Sequence, residues 1–333
     1  MIAPWNEDIW LTLTANRDRN THAWLFCGVT GLGKTDFAVH YAEYLLGSNH
    51  GISTGSHPDF HVLSPEQQLD ERGSLLQRYG MRYYVTEKNK KAKSVISVDQ
   101  VRTLVNSILT YAHGSNKVVL VSPAHRMNIN AANALLKALE EPPTNTVFIL
   151  VSDRPDQLPA TIRSRCSKID FRVPARQQAV SWLSERIGDD NASLALNVAG
   201  GAPLQAEKYA SSGFLEARAV VIGDIRTVLE GRIDVVSIPG RWKNLDVEQS
   251  LGILRGLMID LVKTRFVPRP PWLINPDQLD WLQHAAKRIH LTNVFLLIER
   301  VGVFLRDTNS PLDKNLVLED FLLELGNVCK NNG

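Results

Sequence analysis

The sequence predicts an α/β domain built around a phosphate-binding loop (P-loop), then a small helical domain and an all-α C-terminal domain. Three observations predict this plan. A short apolar run, "AWLFCG" (23–28), leads directly into Gly28-x-x-x-x-Gly33-Lys34-Thr35. Further apolar runs then alternate with segments of helical spacing, the pattern of βαβ units and a parallel sheet. Beyond Pro174 the strand-like runs stop and helical spacing takes over.

Each element follows from its own pattern. "AWLFCG" has the continuous apolarity of a strand buried on both faces. "DFAVHYAEYLL" (36–46) spaces Phe37, Ala38, Tyr41, Ala42 and Leu45 along one side of a helix. A loop-rich stretch runs to about residue 95, with "GSNHGISTGS" full of turn formers. "VDQVRTLVNSILTYA" (98–112) is helical, "KVVLVS" (117–122) a second strand, and "INAANALLKALEE" (129–141) a helix stopped by Pro142-Pro143. "TVFILVS" (146–152) and "SKIDFRV" (167–173) supply a third and a fourth strand. "ARQQAVSWLSERIG" and "NASLALNVAGGAPLQAEKYAS" read as short helices, with Gly200-Gly201 as a break. From about Phe214 the chain is nearly all amphipathic helix. The expected domains are residues 1–173, 174–212 and 213–333.

Bulk properties narrow the class. The chain has 333 residues, 44% hydrophobic and 22% charged, an ordinary soluble balance. A formal net charge of +2 is too small to indicate nucleic-acid binding by charge alone. Cys27, Cys166 and Cys329 are odd in number and far apart, which argues against a disulfide framework and fits a reducing cytoplasm. "MIAPWNEDIW" lacks the features of a signal peptide, and no apolar stretch is long enough for a bilayer. A cytoplasmic protein with no membrane partner is expected.

The candidate nucleotide-binding residues are Gly28, Gly31, Gly33, Lys34 and Thr35. Glycines let backbone N–H groups curl around phosphate oxygens, and the following helix N-terminus adds a favourable dipole. Lys34 would reach the outer phosphates, and Thr35 would offer its hydroxyl to Mg²⁺. Hydrolysis also needs an acid at the end of a neighbouring strand. "KVVLVS" ends instead in Ser122, Pro123 and Ala124, followed by His125 and Arg126; Asp153, after the next strand, is the alternative acid. The loop is expected to be able to hold ATP and not to turn it over.

"INAANALLKALEEPPTNTVFILVS" followed by "LPATIRSRC" resembles the clamp-loader subunits of the AAA+ class in bacterial DNA polymerase III. "HAWLFCGVTGLGKT", "SHPDFHVLSPE", "ISVDQVRTLVN" and "HGSNKVVLV" support the likeness. It runs through residues 4–210, is densest over 117–166, and returns at "NLVLEDFLLEL" (315–325).

The resemblance implies an AAA+ domain, a helical lid and a C-terminal collar for the three segments. It implies that Arg165, in "SRC", is an arginine finger acting in trans on ATP held by an adjacent subunit. The implied partners are the gamma/tau and delta types of subunit, and, through the complex, the sliding clamp and primed DNA. Three departures stand out. The ATPase subunits have an Asp-Glu pair where this chain has Ser122-Pro123. They have a nucleotide-sensing arginine where Leu204 stands. Many relatives carry a four-cysteine zinc module where "GSNHGISTGSHPD" has no cysteine, so no zinc is expected, and His50, His57 and His61 are not expected to bind metal.

The first two departures favour a non-hydrolysing scaffold that helps load the clamp during DNA replication. The alternatives are an active gamma/tau-type ATPase and a stand-alone P-loop nucleotide-binding enzyme. "KNKKAK" (88–93) reads as a solvated loop, with contact to DNA backbone or to single-stranded-DNA-binding partners as its alternative. Trp5, Trp10 and Trp24 read as packing residues, and the leucine-rich C-terminal helices suit a face against neighbouring subunits.

Overall fold

The structure is a computed structural model. It describes residues 2–15, 21–47, 52, 55–70, 74–85, 92–109, 116–232, 238–242, 245–306, 313–326 and 328. His50, Cys329 and residues 88–91 of the basic run lie outside these. The chain divides into two compact units, Met1–Pro174 and Ala175–Gly333.

The first unit is built on a five-stranded sheet: β1 (Ala23–Cys27), β2 (Phe60–Leu63), β3 (Lys117–Val121), β4 (Thr146–Ser152) and β5 (Ser167–Asp170). The strand order is β2-β3-β4-β1-β5 and every pairing is parallel. β1 lies inside the sheet, with Leu25 opposite Leu150 on one side and Lys168 on the other. All of β3 is buried, so its sequence carries no alternation.

β2 lies inside the stretch expected to be loop-rich, and it is a strand paired with β3. Its four residues are all buried, His61 among them. A lone histidine in a short apolar run looks like loop chemistry. Here His61 Nδ1 and the Tyr83 hydroxyl share a hydrogen bond of 2.6 Å, and the backbone is satisfied by pairing with β3.

The helices of this unit are α1 (Glu7–Ala15), α2 (Lys34–Leu46), α3 (Leu75–Gly80), α4 (Val98–Ile108), α5 (Ile129–Glu140) and α6 (Ala160–Arg163). Ser97 and Gln100 form a capping box that starts α4. The Asn128 side chain accepts from the Ala131 amide to start α5. One face of the sheet packs Leu25, Val119 and Phe148 against Leu104 and Leu135. On the other side, Phe26 lies 5.7 Å from Phe37 and 5.3 Å from Phe171, ring to ring. Trp10 stands edge-on to Phe37 at 5.8 Å, and Trp24 to Tyr41 at 6.3 Å. Trp5 Nε1 and Asn6 Nδ2 both donate to the Leu32 carbonyl, at 3.1 and 2.8 Å, bracing the P-loop from outside.

The second unit contains helices α7 (Arg176–Ile187), α8 (Asp189–Val198), α9 (Pro203–Ser211), α10 (Phe214–Leu229), α11 (Val247–Phe266), α12 (Leu279–Ala285), α13 (Leu291–Arg306) and α14 (Lys314–Gly326). α7 to α9 close on a small core of Ala179, Leu183, Ala192, Leu196 and Ala206. α10 onward builds a larger one around Leu254, Leu257, Leu261, Val301 and Leu322. Leu215 packs against both, which ties the helical segments into one unit. Among the described residues no helix is long and apolar enough to cross a membrane.

Candidate functional site

Parallel pairing brings the C-terminal ends of β1, β3 and β4 side by side, the crevice where α/β sheets bind ligands. The P-loop leaves β1 there and enters α2. Gly28 (φ 151°), Gly31 (φ 85°) and Gly33 (φ 82°) all take backbone conformations that other residues rarely adopt. A Cβ on Gly28 would also stand 2.5 Å from the Phe171 carbonyl oxygen.

Lys34 opens α2 and is buried, with 4% of its side chain exposed. Its Nζ donates to the Val29 carbonyl at 2.6 Å and pairs with Asp153 Oδ1 at 2.5 Å. The Thr30 hydroxyl donates to the other Asp153 oxygen at 2.9 Å. Asp153 therefore does reach the P-loop, but its carboxylate is turned on Lys34 and Thr30. A phosphate would compete for the same cation. Asp153, expected from the sequence only as an alternative acid, is thus a partner of the lysine, and the signal for that partnership is an acid directly after β4.

Thr35 Oγ1 lies 3.1 Å from Ser122 Oγ, a hydroxyl pair at the end of β3 where a hydrolase would set a carboxylate. His125 Nδ1 lies 3.2 Å from Ser152 Oγ. Burial, only partly opposed by Asp153, pushes the His125 pKa down to about 4, so the ring is neutral near pH 7. Among the described residues no three His, Cys, Asp or Glu side chains gather into a metal-binding group. His57 Nδ1 accepts from the Asp59 amide at 3.2 Å, and His61 is engaged with Tyr83.

Arg165 does not join this constellation. It follows the short helix α6, about a third exposed (35%), and its Nη2 pairs with Glu140 Oε1 at 2.5 Å. Its Nη1 donates to the Thr161 carbonyl at 2.9 Å. Glu140 ends α5, so the guanidinium is held on the surface where α5 and α6 meet. Leu204 lies in α9, in the other unit.

A parallel sheet of this order, with a P-loop after an inner strand, defines a P-loop nucleotide-binding domain and fits the AAA+ class. A family model described as "DNA polymerase III, delta subunit" matches residues 9–175, and "DNA polymerase III, delta subunit, C terminal" matches 212–327. DNA polymerase III subunit delta' of Pseudomonas aeruginosa is 33% identical over 279 residues, covering 76% of this chain and 77% of that protein. The same subunit of Yersinia pestis is 30% identical over 285 residues, covering 83% and 74%. A gamma subunit-related protein of Thermotoga maritima overlays with TM-score 0.45 at 18% identity, covering 96% of this chain and 99% of that one. The chain belongs to the DNA polymerase III delta-prime family, a family of clamp-loader subunits.

Proposed function

We propose that this protein is the scaffold subunit of a bacterial clamp loader, lending Arg165 to a nucleotide held by a neighbouring subunit. The observation that carries this reading is the separation of Arg165 from the chain's own P-loop. The guanidinium stands on the surface against Glu140, while the P-loop lysine is neutralised from within by Asp153. An arginine so placed is of use to a site outside the chain. A planar, permanently charged guanidinium can stabilise charge that develops on a transferred phosphoryl group.

The chain's own loop has the glycines, helix N-terminus and lysine that suit phosphate. ATP or another nucleotide would be held by Gly28, Gly31, Gly33, Lys34 and Thr35 once Asp153 gives up Lys34. With Ser122 in place of a carboxylate, such a nucleotide would serve as a structural ligand. Residues 174–212 act as lid and 213–333 as collar, and the partners are gamma/tau- and delta-type subunits in the cytoplasm. Sliding clamp and primed DNA are met through the complex.

Affinity capture of the tagged full-length chain from its own cells tests the assignment. Gamma/tau- and delta-type subunits should be recovered with it in fixed ratio. Recovery of the chain without them overturns it.

A further inference from the structure

The segment that leaves α11 exposes apolar surface that could have been buried. It reads Arg265-Phe266-Val267-Pro268-Arg269-Pro270-Pro271-Trp272. Phe266 and Trp272 are each 67% exposed and Val267 48%. The charge is one-sided as well. Between residues 261 and 276 the ionisable side chains are Lys263, Arg265 and Arg269, with no acid among them. The flanking acids are already engaged: Asp260 accepts from the Ile274 and Asn275 amides, and Asp277 pairs with Arg218. Arg265 and Arg269 have no acidic partner among the described residues.

The loop is held in place. The Trp272 carbonyl accepts from Lys263 Nζ at 3.1 Å, which folds the tryptophan's backbone against the end of α11. The Pro268 carbonyl accepts from Gln283 Nε2 of α12 at 2.8 Å. The fully buried Asp260 takes the Ile274 and Asn275 amides at 3.1 and 2.7 Å, and Asn275 Oδ1 in turn accepts from the buried Arg218 at 2.8 Å. Prolines 268, 270 and 271 restrict the backbone between these anchors. The rings and cations are thus presented with much of the ordering cost already met in folding.

Exposed rings interleaved with guanidinium groups that have no acidic partner among the described residues suit a ligand that is apolar and anionic along the same chain. Single-stranded nucleic acid has that chemistry: every base offers a π-face and every linkage a negative charge. A duplex hides the base faces, so it can use only the cations.

We propose that residues 263–272 form a binding surface for single-stranded nucleic acid, with Trp272 and Phe266 stacking on bases and Arg265 and Arg269 meeting phosphates. The surface belongs to the second unit and owes nothing to the P-loop or Arg165. Its failure would leave the arginine-lending role untouched.

The experiment is fluorescence anisotropy of a labelled oligo-dT with the full-length chain alone, beside a hairpin duplex of equal length, over a salt series. Trp272→Ala should weaken oligo-dT binding by about tenfold, and Trp272→Phe should restore most of it. Arg265→Gln and Arg269→Gln should each lower the slope of log K against log salt by about 0.7. Unchanged thermal unfolding checks that these exposed substitutions leave the fold alone. The proposal is overturned if the variants bind oligo-dT like the parent, or if duplex binds as well and loses as much on Trp272→Ala. It is equally overturned if the variants lose capture of partner subunits while oligo-dT binding is unchanged, which would make the segment a protein contact.

Discussion

Lys34 and Asp153 meet at 2.5 Å inside the P-loop, with the lysine almost wholly buried. The arrangement sets an internal carboxylate where a phosphate would bind, and nucleotide affinity then depends on the exchange between the two anions. Asp153→Asn should raise affinity for a non-hydrolysable ATP analogue by about tenfold, measured by calorimetry. It should also lower stability by about 1–3 kcal/mol, since a buried ammonium loses its counter-charge. An affinity left at the parent's value would show that Asp153 does not compete.

The purified chain should hydrolyse ATP no faster than its Lys34→Ala variant. The reason is the hydroxyl pair of Thr35 and Ser122 at 3.1 Å, where a metal-orienting acid is needed. A Lys34-dependent, Mg²⁺-dependent turnover by the chain alone would restore the motor reading.

Arg165→Ala should leave folding and assembly intact and slow ATP hydrolysis by the reconstituted complex. A finger acts mainly in the transition state, so rate should change more than binding. The one affected site should lose about 10³-fold, and total activity should fall only partly if other sites keep their own arginines. Glu140→Gln, which removes the carboxylate facing Arg165, should not reduce activity. Full activity in Arg165→Ala would end the trans assignment.

Arg218 is 2% exposed and makes two hydrogen bonds each to Asn275 and Asp277. Arg218→Met should destabilise the protein by about 2–4 kcal/mol, less than a fully buried pair because Asp277 is partly exposed. Burial works to raise the Asp277 pKa, but its bonds to Arg218 and Gln278 outweigh that and hold it below 3.8. A depressed carboxylate stabilises the fold above its unfolded pKa and loses that contribution as pH falls through the folded one. The gap between parent and variant in urea unfolding should therefore be full at neutral pH and narrow below about pH 4. A gap that is constant with pH would show that the charge of Asp277 does not contribute to the stability that Arg218 supplies.

His61 should make the protein sensitive to mild acid. Burial first, then Arg82 and Lys117, push its pKa from 6.5 down to about 4. The unfolded chain then binds this proton more readily than the native one, so stability falls as pH drops from 6.5 toward 4. The loss attributable to His61 is on the order of 2–3 kcal/mol. His61→Gln should flatten that part of the stability curve, as read by urea unfolding at stepped pH. A curve of unchanged slope would place the acid sensitivity elsewhere.

The α/β plan, the P-loop with its glycines, the lack of an acid after β3 and the helical second half are all legible in the sequence. These are local properties: strand and helix periods, glycine spacing and the residue that follows a strand are all written within a few positions. The rest came from contacts between distant segments. β2 became a strand because β3 offered its edge and Tyr83 satisfied His61, neither visible in "FHVL" itself. Asp153 acquired its role only when parallel pairing of β1 and β4 carried it to Thr30, 123 positions earlier in the chain, and to Lys34. Trp272 would ordinarily be assigned to a core, yet Lys263, Gln283 and buried Asp260 hold the backbone of its segment and leave its ring in water. Periodicity records what a residue prefers to face. What it meets is set by distant segments whose positions the chain settles only by folding.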